Sequence, residues 1–163
     1  TNEAEIEEAY QWLIDQRDTM DPIYAGDDVI DNMISGNKAM AVVYSGDGAY
    51  IMSENDKLDF FEPEEGTNTW YDAMVIMKGT KHSELAHKFI NFMLDNDNAA
   101  ANSAEVGYTS PVTKAYEQIK SEDYKGIDAY TPNTGNEKNE VFRYQDTEIK
   151  QYFADLWTKV KAY

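Results

Sequence analysis

The sequence predicts an α/β fold, and three observations predict it. Residues 39–44 and 69–77 are apolar runs of strand length. Residues 3–17, 83–94 and the segment after Asp146 repeat apolar side chains at helical spacing. Turn formers separate the two kinds of segment, so strands and helices alternate along one chain. At 163 residues, with 42% hydrophobic and 13% aromatic residues, the chain is large and apolar enough for one ordinary domain with a real core.

The first helix is expected over 3–17, where Ile6, Ala9, Tyr10, Leu13 and Ile14 fall at helical spacing. Asn2 and Glu5 have the spacing of a capping box in front of it, and Met20-Asp21-Pro22 closes it. A short second helix is expected from Asp27 or Asp28 to Gly36, burying Val29, Ile30, Met33 and Ile34. Residues 39–44 are expected as a buried strand that delivers Tyr44 to the turn Ser45-Gly46-Asp47-Gly48. A short helix over 47–54, a strand over 58–61 and a strand over 69–77 follow, the last carrying Trp70, Ala73, Val75, Ile76 and Met77. Leu85, Ala86, Phe89, Ile90 and Met93 mark the clearest helix, over 83–94. An alanine-rich helix over 95–104 comes next, stopped by Gly107. Tyr108 to Pro111 is extended, because a residue before proline avoids helical backbone. After a helix over 112–120, residues 121–140 hold many turn formers and no clear period, and read as the longest loop, a kind of segment that often carries function. The closing helix presents Ile149, Tyr152, Phe153, Leu156, Trp157 and Val160 on one face.

Charge narrows the function. With 14 basic and 31 acidic residues the formal net charge is −17. Nucleic acid needs Lys and Arg against its phosphates, so it is excluded as a partner, and docking on anionic lipid is disfavoured. An acidic chain attracts cations at long range, and it also simply stays soluble. Cysteine is absent, so disulfides, thiolate chemistry and Cys-based zinc sites are excluded. No apolar run approaches the roughly 18–20 residues of a membrane span, and no signal peptide is present. The chain opens at Thr1 in a helical pattern and reads as a mature or excised piece of a longer polypeptide.

Enzyme motifs are scarce. There is no Walker loop, no G-x-G-x-x-G and no G-x-S-x-G elbow, and no cofactor is expected. His82 and His87 are five positions apart, which a helix turns to different faces, so they do not make a metal pair. Asp95-Asn96-Asp97-Asn98 lacks the glycine and closing glutamate of a calcium loop and fits a helix N-cap. Aromatic residues do recur beside acceptors: Trp70-Tyr71-Asp72, Tyr44 with Asp47, Gly107-Tyr108 and Tyr144-Gln145. An aromatic face attracts a cation through its quadrupole, and a carboxylate adds opposite charge. On a strand, Trp70 and Asp72 would share a face, where an ammonium over the indole could reach the carboxylate.

These residues carry a resemblance. Gly66-Thr67-Asn68-Thr69-Trp70-Tyr71-Asp72-Ala73-Met74-Val75-Ile76 resembles the G-x-x-x-W-x-D-x-x-x-I strand of bacterial spermidine/putrescine-binding proteins of ABC transporters. His87-Lys88-Phe89-Ile90-Asn91-Phe92-Met93-Leu94 is similar to their A-x-x-F-I-N-F-L-L helix. Glu105-Val106-Gly107-Tyr108-Thr109-Ser110-Pro111 resembles their x-x-G-Y-x-x-P turn, Ala39 to Gly48 matches their A-M-x-W-x-G-x-A strand in position, and Tyr144-Gln145 resembles their terminal segment.

The resemblance implies a periplasmic-binding-protein-like fold of type II, with ligand between two α/β lobes, of which this chain is the incomplete C-terminal half. Residues 1–70 and 116–163 would belong to the second lobe, and 71–115 would return to the first. Tyr44 and Trp70 would wall the polyamine's methylenes, Asp72 would meet an ammonium end, and Tyr108 and Gln145 would hydrogen-bond there. The family has tryptophan where this chain has Tyr44, which keeps an aromatic wall and leaves ligand size and affinity open. The implied role is extracytoplasmic capture of spermidine or putrescine for a membrane permease, in the periplasm or outside the cell, with a membrane tether upstream. Apolar surface left by a missing lobe would favour self-association of the fragment. A different small ligand on the same fold, or a hydrolase using Asp72 and Asp47 as paired carboxylates, are the alternatives.

Overall fold

The computed structural model describes residues 2–162. They form two compact units, residues 2–27 with 142–162, and 28–141.

The first unit pairs helix α1 (Glu3–Met20) with the closing helix, Thr147–Lys161. Ile6, Leu156 and Val160 are their buried residues. The capping box forms as expected: the Glu5 amide donates to Asn2 Oδ1 at 3.0 Å and the Asn2 amide to Glu5 Oε2 at 3.1 Å. Each bond satisfies an amide that the first helical turn leaves without a partner. Asp21, with φ 48°, ends α1 in the left-handed region just ahead of Pro22. Asp146 caps the closing helix by accepting from the Ile149 amide at 2.9 Å. Tyr24 meets Trp157 edge to face at 5.2 Å, and Tyr152 donates to Glu7 at 2.7 Å.

The second unit holds α2 (Asp28–Ile34), α3 (Ser45–Glu54), β1 (Asn68–Thr69), α4 (Ser83–Met93), α5 (Asn96–Val106), α6 (Thr113–Ser121), a 3-10 turn (Asp128–Tyr130) and β2 (Glu140–Val141). Its core gathers Ala49 of α3, Ala99 and Ala100 of α5, Ala115 and Ile119 of α6, and Tyr124, Ala129 and Tyr130 beyond them. Alanines on facing helices bring the backbones close, and the tyrosines fill the remaining volume. Tyr130 stacks on Tyr116 and Tyr124, with ring centroids 5.9 and 5.1 Å away. Asp95 caps α5 through the Asp97 amide, as its N-cap reading requires. α7 is the closing helix named above.

The helices stand where their periodicity places them, but the strands do not. Residues 39–44 are irregular and Val42 is fully exposed, against the expected buried strand. Residues 58–61 are irregular too, with Phe60 packed on the core and Phe61 exposed. Of the expected strand over 69–77, only Thr69 pairs; with Asn68 before it, it runs parallel to Glu140–Val141. Val75 and Met77 face solvent. A strand exists only where a neighbour takes its amides and carbonyls, and among the described residues only β2 does so. The fold is therefore mostly helical, and the α/β expectation holds only as far as this short parallel pair. In α2 only Met33 is buried, with Val29, Ile30 and Ile34 half-buried. The stretch read as a long loop, 121–140, supplies the core residues Tyr124, Ala129 and Tyr130. No helix among the described residues is long and apolar enough to cross a membrane.

Candidate functional site

Tyr44 is the residue from which α3 starts. Its extended backbone (φ −73°, ψ 156°) turns the chain into the helix, and its carbonyl accepts from the Gly48 amide at 2.9 Å. Its side chain makes no capping bond, and the ring stays 59% exposed. Trp70 follows directly after β1. The loop before it is tied to the loop before β2 by side chains: Thr67 donates its amide to Asn139 at 2.9 Å, and Asn136 and Asn139 donate to Glu62 at 3.0 and 2.7 Å. These bonds join segments more than seventy residues apart and set where Trp70 emerges.

Tyr108 follows Gly107, which ends α5 with φ 72°. Left-handed backbone and a close approach to the Gly46 carbonyl both demand glycine there. Gly46 is equally constrained, since a Cβ on it would run into the Tyr108 ring. These two contacts let the ring lie against the first turn of α3.

Three rings meet as a result. Tyr44 and Trp70 are 5.2 Å apart between centroids at 62°, and Trp70 and Tyr108 are 6.0 Å apart at 74°. Both are edge-to-face arrangements, favoured by the ring quadrupoles. Tyr108 Oη lies 3.4 Å from Asp47 Oδ1, long for an O–H···O bond, so charge matters more than the bond. The Tyr108 phenol is pushed up to about 12, first by burial, then by the Asp47 charge and hydrogen bond, then by Tyr44 and Asp72. Burial is the largest cause of that shift; Asp47, and more weakly Asp72, add negative charge beside the ring, which favours a cation.

The structure brings Tyr44, Trp70 and Tyr108 together and lays the charge of Asp72 on the same group. Asp72 sits on irregular backbone, so the shared strand face expected for it and Trp70 is not how they are related. Gln145 lies in the other unit, half-buried just before the Asp146 cap. The sequence pairs Asp47 with Tyr44 as an acceptor and with Asp72 as a hydrolytic acid; its place against Tyr108, 61 residues away, emerges from the fold. The Gly46-Asp47-Gly48 spacing was the available signal, because small residues in a first helical turn invite close packing.

Other rings are already covered by the chain's own lysines: Lys150 lies 4.1 Å from the Tyr144 centroid and donates to its hydroxyl at 2.8 Å. Lys120 and Lys161 lie over Tyr116 and Trp157 in the same way. An open surface hollow lies elsewhere, on the face of α1 between Ala4, Glu8, Trp12 and Asp15.

Residues 1–131 match the family model described as bacterial extracellular solute-binding protein. The chain is 32% identical over 139 residues to a putrescine/cadaverine-binding protein of Pseudomonas aeruginosa, covering 81% of this chain and 39% of that protein. It is 26% identical to spermidine/putrescine-binding periplasmic protein 1 of Haemophilus influenzae, covering 98% of this chain and 44% of the relative. It is 29% identical to the spermidine/putrescine-binding periplasmic protein of Salmonella typhimurium, covering 99% and 46%. The chain thus spans less than half the length of these curated relatives. No solved structure matches it. With four-fifths of its residues inside the family model, this chain belongs to the bacterial extracellular solute-binding proteins, a family of binding proteins and not of enzymes.

Proposed function

We propose that this chain carries one wall of a polyamine site in an extracytoplasmic solute-binding component of an ABC import system. The observation that carries the reading is the cluster of Tyr44, Trp70 and Tyr108 in the negative field of Asp47 and Asp72. The rings take the alkyl chain and one ammonium face, and the carboxylates neutralise an ammonium end. Similarity to relatives named for putrescine, cadaverine and spermidine supports this ligand class.

Magnitudes support a shared site. Each ring contact is worth about 0.5–2 kcal/mol, so three supply roughly 2–6. Micromolar binding needs about 8 kcal/mol after the cost of association has been met. The second wall is proposed to come from outside this chain, in a two-lobed type II fold whose closed form docks on a permease. The component is placed in the periplasm or outside the cell, tethered upstream.

Isothermal titration of the full-length protein with spermidine, putrescine and an unrelated amine tests this, with the present chain alongside. Micromolar or tighter polyamine binding by the full-length protein and little by this chain is the expected result. Silence toward every polyamine would remove the ligand assignment.

A further inference from the structure

Tyr108 is gripped through its main chain from inside the core. Ser103 of α5 is 2% exposed and is the buried polar side chain of the described residues. Its hydroxyl meets the Tyr108 carbonyl on one side and the Tyr130 hydroxyl, 2.7 Å away, on the other. A carbonyl only accepts, and a serine hydroxyl has one proton to give. The Ser103 proton therefore goes to Tyr108, and Tyr130 donates to Ser103. The chain of bonds runs from Tyr130 through Ser103 to Tyr108, each link polarising the next.

Tyr130 is a firm origin for such a chain. It is buried, stacked between Tyr116 and Tyr124, and its carbonyl accepts from Thr109 Oγ1 at 2.7 Å. Tyr108 and Thr109 are thus both tied, directly or through Ser103, to one buried, stacked residue. Packing alone does not call for a serine here, because its neighbours on the buried face of α5, Ala99 and Ala100, are alanines. A buried hydroxyl costs free energy unless it is bonded, so what Ser103 adds over alanine is its hold on the Tyr108 carbonyl.

We propose that Ser103 and Tyr130 are positioning residues of the ligand site, fixing the Tyr108 ring against Trp70 and Asp47 without touching ligand. The proposal rests on the polyamine reading above for its binding arm, but its spectroscopic arm stands without ligand. Ser103→Ala, Tyr130→Phe and, as a control, Tyr124→Phe are made in the full-length protein. Tyr124 also donates a part-buried hydrogen bond, to the Ala104 carbonyl at 2.8 Å.

Putrescine and spermidine are titrated into each variant. Fluorotryptophan incorporation gives a 19F resonance for Trp70, assigned by its loss in Trp70→Phe. The expected result is an affinity about fivefold weaker in Ser103→Ala, a smaller loss in Tyr130→Phe, and a shifted or broadened Trp70 resonance in both. Tyr124→Phe should lose stability with affinity and resonance unchanged. If Ser103→Ala does not fold, Tyr130→Phe, which keeps the ring, carries the test. An unchanged Trp70 resonance, or an affinity loss equal to that of Tyr124→Phe, would overturn the proposal. Absence of polyamine binding by the unmodified protein would instead remove the ligand reading and leave the resonance to decide positioning.

Discussion

Helices α4 and α5 are separated by two residues, and they use their side chains in opposite ways. α4 carries Leu85, Phe89 and Phe92, yet none of its residues is buried, and Phe89 is 57% exposed. α5 is mostly alanine and polar, yet buries Ala99, Ala100 and Ser103. An apolar stripe declares a helix and a face; a partner decides whether the face is covered. α5 finds α6 and α3 within the unit, while α4 has contact with α5 alone among the helices it meets repeatedly. The same division separates the two sides of the candidate site. Tyr108 is held from below by Ser103 and Tyr130, while Asp72 stands on backbone that finds no ladder partner.

The largest expected effect breaks this contrast at its buried end. Ile119→Ala removes a side chain that is 2% exposed and should cost about 2–5 kcal/mol in urea unfolding of this chain. Phe89→Ala should change the same measurement by far less, about 0.5 kcal/mol, because more than half of the residue is already in water. A large loss for Phe89→Ala would mean that α4 is packed, and the contrast would be gone. The uncovered face also predicts concentration-dependent association of this chain, relieved by Phe89→Asp and read by light scattering. A monomer at high concentration would count against it.

Next in size is the site itself. Asp72→Asn in the full-length protein should weaken spermidine binding about tenfold, or about 1.4 kcal/mol, through loss of a carboxylate facing an ammonium. Equal calorimetric affinity would take Asp72 out of the site. The smallest effect is a pH dependence, because Tyr108 is only half-buried and solvent screens much of its shift. The Tyr108 phenol titrates near 10.0 unfolded and at about 12 folded, so the folded state holds the proton more tightly. That contribution to stability is complete below pH 10.0 and is lost as the pH rises toward about 12. Tyr124 and Tyr130, also raised by burial, act in the same direction. Tyr108→Phe should flatten the fall in urea midpoint across this window, and an unaltered fall would show that the other tyrosines carry it.

The contrast also explains what the sequence could reveal. Helices and caps are local: the Asn2 and Glu5 box, the Asp95 and Asp146 caps and the Gly107 stop can each be read from a few neighbouring residues, and all are present. Strands are not local. Residues 39–44 and 69–77 have the right composition, but pairing depends on a partner elsewhere in the chain. Three of the site residues were legible as aromatics beside acceptors, and the rings of Tyr44, Trp70 and Tyr108 do converge. Asp47 on Tyr108 and the Ser103–Tyr130 grip span 61 and 27 residues, and no spacing rule reaches that far.

A crystal structure of the full-length protein grown with putrescine tests the central claim most directly. The account predicts a ligand ammonium or methylene within about 6 Å of the Trp70 ring, with an ammonium end on Asp72 or Asp47. A ligand bound away from Tyr44, Trp70 and Tyr108 would contradict it.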